Sequence, residues 1–321
     1  MTEPHEHLVT SEAELLGHEV LDFVSPKKRH VFQIATADAD FDERPMDVTR
    51  WMERDLPTEA ATDTAVEIRT DVFTYAAPAD GEVAWHVNFA DPELFFGYGV
   101  DLLAQDELQI AEHPALAALR VRLCRTAEVK PYTARGGRAT PVLVTNVLRR
   151  VAIDLDPRPD VGLPRGIYGY GFTCASLEAI EAVCEPLDPP AQTNLLAMAA
   201  LSHGTGNYCR GEIQGVLDTA YTAFVAACEE TRRLHGRPAA TVVHTGYWGC
   251  GAFGGNRELM VAVQVIAARA AGVDRLVLHT VRQSGRPDAE RGVDIAAGTS
   301  PSEAAAALAA RDFEWGKGDG T

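Results

Sequence analysis

The sequence predicts an α/β fold in which helices flank a mixed sheet on both faces, and three observations predict it. Apolar strand-like runs alternate with runs whose apolar residues recur at helical spacing, no internal repeat interrupts the alternation, and one glycine-rich segment stands between such a strand and such a helix. Strands separated by helices imply a mixed or mostly parallel sheet, because crossover helices lie on the sheet's faces. The 321 residues, 46% of them hydrophobic, suffice for one large domain or two modest ones.

In chain order, the expected strands are VFQIATA from Val31, AVEIRTDVFTY from Ala65, VAWHVNFA from Val83, TPVLVTNVLRRVAIDL from Thr140, TVVHTG from Thr241 and RLVLHTV from Arg275. β-Branched and aromatic residues dominate them, bounded by turn formers. The expected helices are DVTRWMERDL, LLAQDELQIAEH, PALAALRVRLC, SLEAIEAVC, QTNLLAMAALS, the long EIQGVLDTAYTAFVAACEETRRLHG with its glycine stop, and RELMVAVQVIAARAAG. The last twenty or so residues form at most one short helix and then a polar tail.

A net charge of −17 repels nucleic-acid phosphates on average, which argues against a sequence-specific DNA binder. No apolar run is long enough to span a bilayer and the first residues are acidic and polar, so the chain is read as soluble and cytoplasmic, without a membrane partner. The six cysteines are scattered without a C-x-x-C pair and are expected to be reduced and buried. The histidines are isolated, His203 in a turn-rich loop included. No metal site and no cofactor is expected.

The segment HTGYWGCGAFGGN, His244 to Asn256, contains G-x-G-x-x-G in the run from Gly249 to Gly254. A glycine loop that ends a strand and opens a helix can turn backbone N–H groups onto a diphosphate. A nicotinamide dinucleotide would further require an acid after the second strand of a doubly wound domain. Asp274 has the right sequence distance and the wrong place, since it precedes RLVLHTV and too little chain follows for the remaining strands. A second stretch, WHVNFADPELFFGYGVDLLAQDELQIAEHPAL, runs from an apolar strand through Asn88 and Asp91 into a helix with Gln105, Asp106 and Glu107 in its first turns. Taken alone, acids there are an ordinary dipole feature worth a few tenths to about 1 kcal/mol.

Together the two stretches resemble the catalytic domain of poly(ADP-ribose) glycohydrolases, a branch of the macrodomain superfamily. In that family a segment like VDFAN leads through a triple-glycine loop to QEE, and a later segment reads much like GNWGCGAFGG before a helix. Here VNFAD, QDE and GYWGCGAFGGN stand in the same order, and HPALAALR continues the likeness. Three departures stand out. The first acid of the pair is Asp106, one methylene shorter than glutamate, which moves its carboxylate by ~1.5 Å. The triple glycine aligns with Phe95 to Gly97, or with Gly97 to Gly99 if the loop is shifted. Asp91 takes the place of a ribose-contacting asparagine.

The resemblance implies a macrodomain-like fold over residues 25–300, between a polar N-terminal extension, 1–24, and a C-terminal tail, 301–321. It implies that Gly249, Cys250, Gly251, Ala252, Phe253, Gly254, Gly255 and Asn256 wrap the diphosphate of ADP-ribose, with Phe253 closing over the distal ribose. Asn88, Asp91, Phe96, Gly97 and Gln105 are expected at the same ligand. Glu107 takes the acid/base role at C1 of the distal ribose, with Asp106 supporting it. The implied function is an ADP-ribosyl hydrolase, acting on single ADP-ribose groups rather than the polymer, with protein carboxylates or nucleic-acid bases as acceptors. A reader that binds ADP-ribose without cleaving it is the alternative.

Overall fold

In the computed structural model of the chain, residues 3–37, 39–126, 128–235 and 239–318 are described. The first half contains β1 (Glu6–Ser11), α1 (Glu12–His18), α2 (Pro26–Thr36), β2 (Pro45–Arg50), β3 (Ala65–Arg69), β4 (Glu82–Ala90), α3 (Gln105–Glu112) and α4 (Pro114–Arg125). A small hairpin of β5 (Ala134–Arg135) and β6 (Arg138–Ala139) leads to β7 (Val142–Ile153), α5 (Tyr170–Cys174), α6 (Leu177–Val183) and β8 (Cys184–Ala199). The chain continues through α7 (Arg210–His235), β9 (Ala240–Gly246), α8 (Arg257–Ala271), β10 (Arg275–His279), α9 (Arg286–Ala297) and α10 (Ala304–Ala309).

One eight-stranded sheet, ordered β1-β2-β7-β8-β4-β9-β10-β3, organises these elements. The pairs from β8 to β3 are all parallel, and those from β1 to β8 antiparallel, so the expected mixed α/β sheet is present. Alternation along β4 divides the layers. Val83, Trp85 and Val87 enter the core shared with α7 and α8, where Phe224, Ile266 and Leu276 are also buried, while Ala90 joins Leu15, Leu116 and Leu119 on the face covered by α1 and α4. The indole N–H of Trp85 donates to Thr231 of α7 at 3.0 Å, so the largest core ring also satisfies its polar atom.

The parallel half puts the carboxyl ends of β8, β4, β9, β10 and β3 along one edge. In sheets of this kind ligands bind in the crevice outside those ends. Asp274, the acid weighed above for a ribose, caps the opposite edge: its Oδ2 accepts the N–H of Thr241 at 2.8 Å.

Several elements differ from the expectation. VFQIATA belongs to helix α2, because Ser25 caps it by accepting the Lys28 N–H and Pro26 starts it. DVTRWMERDL enters strand β2, and QTNLLAMAALS forms the end of β8, a central strand between β7 and β4. A strand buried on both faces has no alternating pattern, and its leucines, alanines and methionine mimic a buried helix. Residues 6–18, expected as a polar extension, form β1 and α1 and belong to the sheet and its core through Leu8 and Leu15. Within 301–321, the one short helix allowed for ahead of the tail is α10, Ala304–Ala309, with Leu308 buried. All six cysteines are free, and Cys124, Cys174 and Cys209 are exposed rather than buried. The glycine stop expected after α7 lies outside the described residues. No helix among the described residues is long and apolar enough to cross a membrane.

Candidate active site

β4 and β9 lie side by side and run together as far as the pair His86–His244. Beyond that point β9 turns into the glycine segment, and a Cβ built on its last residue, Gly246, would stand 3.6 Å from the ring of Phe89. Gln105, at the start of α3, fills the divergence: it accepts the Phe89 N–H at 2.7 Å and donates to the Val87 carbonyl at 3.1 Å. The acid-bearing helix is thereby fastened to the strand that carries Asn88.

Asn88 is fully buried and donates from Nδ2 to Asp106 at 2.9 Å, while its Oδ1 is buried without a hydrogen-bond partner among the described residues. Asp106 and Glu107 occupy the first turn of α3 and are 6% and 8% exposed, so the pair is nearly closed off from solvent. Burial, and after it the neighbouring Glu107 charge, pushes the Asp106 carboxyl up to about 7. Glu107 accepts the Ala104 N–H through Oε2 at 3.1 Å, capping the helix from its third position. Gly97 lies against the same carboxylate, and a Cβ there would come within 2.8 Å of Glu107 Cγ.

Lys28 of α2 escaped the sequence reading. It is 2% exposed, donates from Nζ to the Glu107 carbonyl at 3.3 Å and stands 5.6 Å from the centre of the Phe172 ring. Burial lowers its ammonium to about 8, against the opposing pull of the Glu107, Asp106 and Asp101 charges. Nothing in PKKRH marks the second lysine as internal except its place on α2, whose second half, from Val31, was expected as a strand.

The segment aligned with the triple glycine is a tight turn over Phe96–Gly99. Phe95 is fully buried with a left-handed φ of 55° and packs in the core with Leu94 and Leu116, whereas Phe96 is 58% exposed. Asp91 Oδ1 accepts the Glu93 N–H at 2.9 Å, shaping the turn that leaves β4.

The glycine loop is fixed at both ends. Gln264 of α8 donates to the Gly246 carbonyl at 3.0 Å and takes the Thr245 hydroxyl at 2.6 Å, and the buried Trp248 donates its indole N–H to Met198 at 3.0 Å. Asn256 caps α8 by accepting the Leu259 N–H at 3.1 Å. Gly249 must be glycine, since its φ is 74° and a Cβ would fall 2.5 Å from that of Ala200 at the end of β8. Within the loop Cys250, Gly254 and Gly255 use their N–H groups on Tyr247, Gly251 and Gly249. The N–H groups of Gly249, Gly251, Ala252 and Phe253 make no backbone hydrogen bond among the described residues. Successive unbonded N–H groups ahead of a helix N-terminus are a kind of backbone that can bind an anion. The Cys250 thiol is buried and pushed up by burial, so only backbone is available there. Phe253 is half-buried, with His203 nearby: the His203 N–H donates to the Phe253 carbonyl at 3.1 Å, and the rings stand 5.9 Å apart.

On the Asn88 side of the sheet runs a line of histidines. His86 stacks on His244 at 4.7 Å, His244 Nδ1 meets His279 Nε2 at 3.0 Å, and His279 Nδ1 meets Asp71 at 2.9 Å. Burial holds all three imidazoles below the ordinary range, His244 at about 4.

Residues 168–286 match the family described as poly(ADP-ribose) glycohydrolase (PARG), macrodomain fold. That span contains the whole glycine loop. Among solved structures, the poly(ADP-ribose) glycohydrolase from Thermomonospora curvata is 14% identical over 96% of this chain and 85% of its own, with a TM-score of 0.46. The enzyme from Deinococcus radiodurans in complex with ADP-ribose is 10% identical over 91% of this chain and 95% of its own, also with a TM-score of 0.46. No curated protein matches.

Proposed function

We propose that this chain, with its PARG-like macrodomain, is an ADP-ribosyl hydrolase that removes single ADP-ribose groups from modified protein carboxylates or nucleic-acid bases. The observation that carries the reading is the glycine loop's set of N–H groups without a backbone partner among the described residues, at the carboxyl edge of the parallel strands, with a buried carboxyl pair on the helix that follows the adjoining strand. The loop holds the diphosphate, Asn88 Oδ1 has spare accepting capacity for a sugar hydroxyl, and Asp91 and Phe253 flank the distal ribose.

Glu107 then works at C1 of that ribose. As the bond from C1 to the acceptor breaks, its carboxylic acid protonates the leaving atom. The resulting carboxylate takes a proton from water, whose oxygen adds to C1, and the acid form returns with free ADP-ribose as product. The Asp106 carboxyl, held by Asn88 and buried, stays protonated up to about pH 7. The exposed Phe96 favours single groups over polymer, because a ring at this turn crowds the next unit of a chain.

A second reading has its own observation. Glu107 serves as a helix cap and is nearly buried, which suits a module that binds ADP-ribose without cleaving it. Incubation with mono-ADP-ribosylated protein, ADP-ribosylated DNA and poly(ADP-ribose) separates the readings. Release of free ADP-ribose from either mono-modified substrate, faster than from polymer, is the expected result. Binding with no release from any of the three identifies a reader.

A further inference from the structure

The segment Phe313–Gly318, which follows α10, crosses the glycine loop. It is tied to the chain after β8 by Tyr208 N–H to the Phe313 carbonyl and Trp315 N–H to the Gly206 carbonyl, both 2.8 Å, and by a bridge between Asn207 and Glu314. The Trp315 indole stacks on Tyr208 with centres 4.1 Å apart and planes 13° apart. It also fills the place of a side chain at Gly204, where a Cβ would fall 2.5 Å from indole Cδ2.

From that anchor the backbone reaches the loop itself. Asn256, the cap of α8, donates from Nδ2 to the Glu314 carbonyl at 3.1 Å, and its own N–H goes to the Tyr208 hydroxyl at 3.2 Å. A Cβ on Gly318 would stand 2.7 Å from the Ala252 carbonyl oxygen, and one on Gly316 would stand 3.2 Å from that of Gly254. The two glycines of WGKG thus let the strand lie backbone to backbone on the loop, while Lys317 between them is exposed. The contacts are with loop carbonyls. The N–H groups of Gly251, Ala252 and Phe253 have no backbone partner among the described residues, so the segment meets the loop from its carbonyl side.

We infer that Phe313–Gly318 is a positioning strap, anchored by Trp315 in the notch at Gly204, that holds the glycine loop in its anion-binding conformation. Its part in catalysis rests on the hydrolase reading above. Its effect on the loop does not, and can be measured without ligand.

Two substitutions undock the strap from opposite sides, Trp315→Ala by removing the ring and Gly204→Val by filling its notch. Hydrogen exchange of the Trp248–Asn256 backbone in the ligand-free protein should quicken about tenfold in both. Calorimetric Kd for ADP-ribose and KM on a mono-ADP-ribosylated protein should rise about tenfold, with kcat within about twofold of the parent, since the acid pair is untouched. Trp315→Phe, which keeps a stacked ring, should restore parental exchange and affinity. Parental exchange in both undocked variants would overturn the inference. So would faster exchange without loss of affinity, or an equal loss of affinity in Lys317→Ala, which would assign the effect to charge. A parent protein that binds no ADP-ribose would defeat the hydrolase reading and leave the exchange result to decide the strap.

Discussion

The glycine loop and the acid segment meet at the same sheet edge, yet they offer their functional groups differently. In the loop the working atoms are backbone N–H groups, and four between Gly249 and Phe253 make no backbone bond among the described residues. In the acid segment the side chains are occupied by the fold: Asp106 by Asn88, Glu107 by Ala104, and Gln105 by both Val87 and Phe89. On the proposed reading the loop offers unbonded donors to a ligand, whereas Glu107 acts with one carboxylate oxygen already engaged as a helix cap. Binding and cleavage should separate on mutation.

The largest expected effect falls on turnover. Glu107→Gln keeps size and hydrogen bonding but cannot cycle a proton, so single-turnover release of ADP-ribose should slow by a factor of roughly 10² to 10⁴. The loop answers in the other currency, affinity. Gly249→Val forces a branched side chain into a left-handed backbone against Ala200, and calorimetric affinity for ADP-ribose should fall about a hundredfold, with some loss of stability.

Asp106→Asn should cost less, about tenfold in kcat, and it carries a stability signature. The folded carboxyl titrates near 7, above its unfolded value of 3.8, so the stability it lends is full below about pH 4 and lost as pH rises through 7. The asparagine variant should consequently melt about 2–4 °C higher than the parent at pH 8, and show no such gain at pH 4. Lys28→Met removes a cation that favours the ionised pair. The titration of the Asp106 carboxyl, near 7 in the parent and followed by carboxyl NMR, should move to higher pH by about half a unit.

The smallest effect concerns the histidine line, which the proposed chemistry does not use. His86, His244 and His279 titrate below the unfolded value of 6.5, His244 at about 4, so the unfolded chain takes up more protons between those limits. Stability present above pH 6.5 is then lost as pH falls toward 4, and the melting temperature should drop by about 3–6 °C between pH 7 and pH 5. A flat profile over that range would remove the buried neutral imidazoles from the account.

The glycine loop was legible in the sequence because its conformation restricts residue choice: Gly249 and Gly254 have positive φ, and Asn256 caps the helix that follows. The order of Asn88, Gln105, Asp106 and Glu107 was legible as well, but not what those side chains do for the fold. Phe95 illustrates why, since its burial depends on Leu94 and Leu116 rather than on neighbours in a motif. Strand β8 read as a helix because it is central and covered on both faces, and Lys28 was missed because its partners come from α3. The strap looked like a tail because WGKG is short and polar, while the contacts that order it come from residues about a hundred positions earlier.

The most direct test scores Glu107→Gln twice in one preparation, by ADP-ribose calorimetry and by release of ADP-ribose from a mono-ADP-ribosylated protein. Parental affinity with release lost is the predicted result, because the proposed mechanism has the loop bind and the acid cut. Parental release would contradict the assignment of Glu107, and loss of affinity together with release would contradict the separation of the two segments.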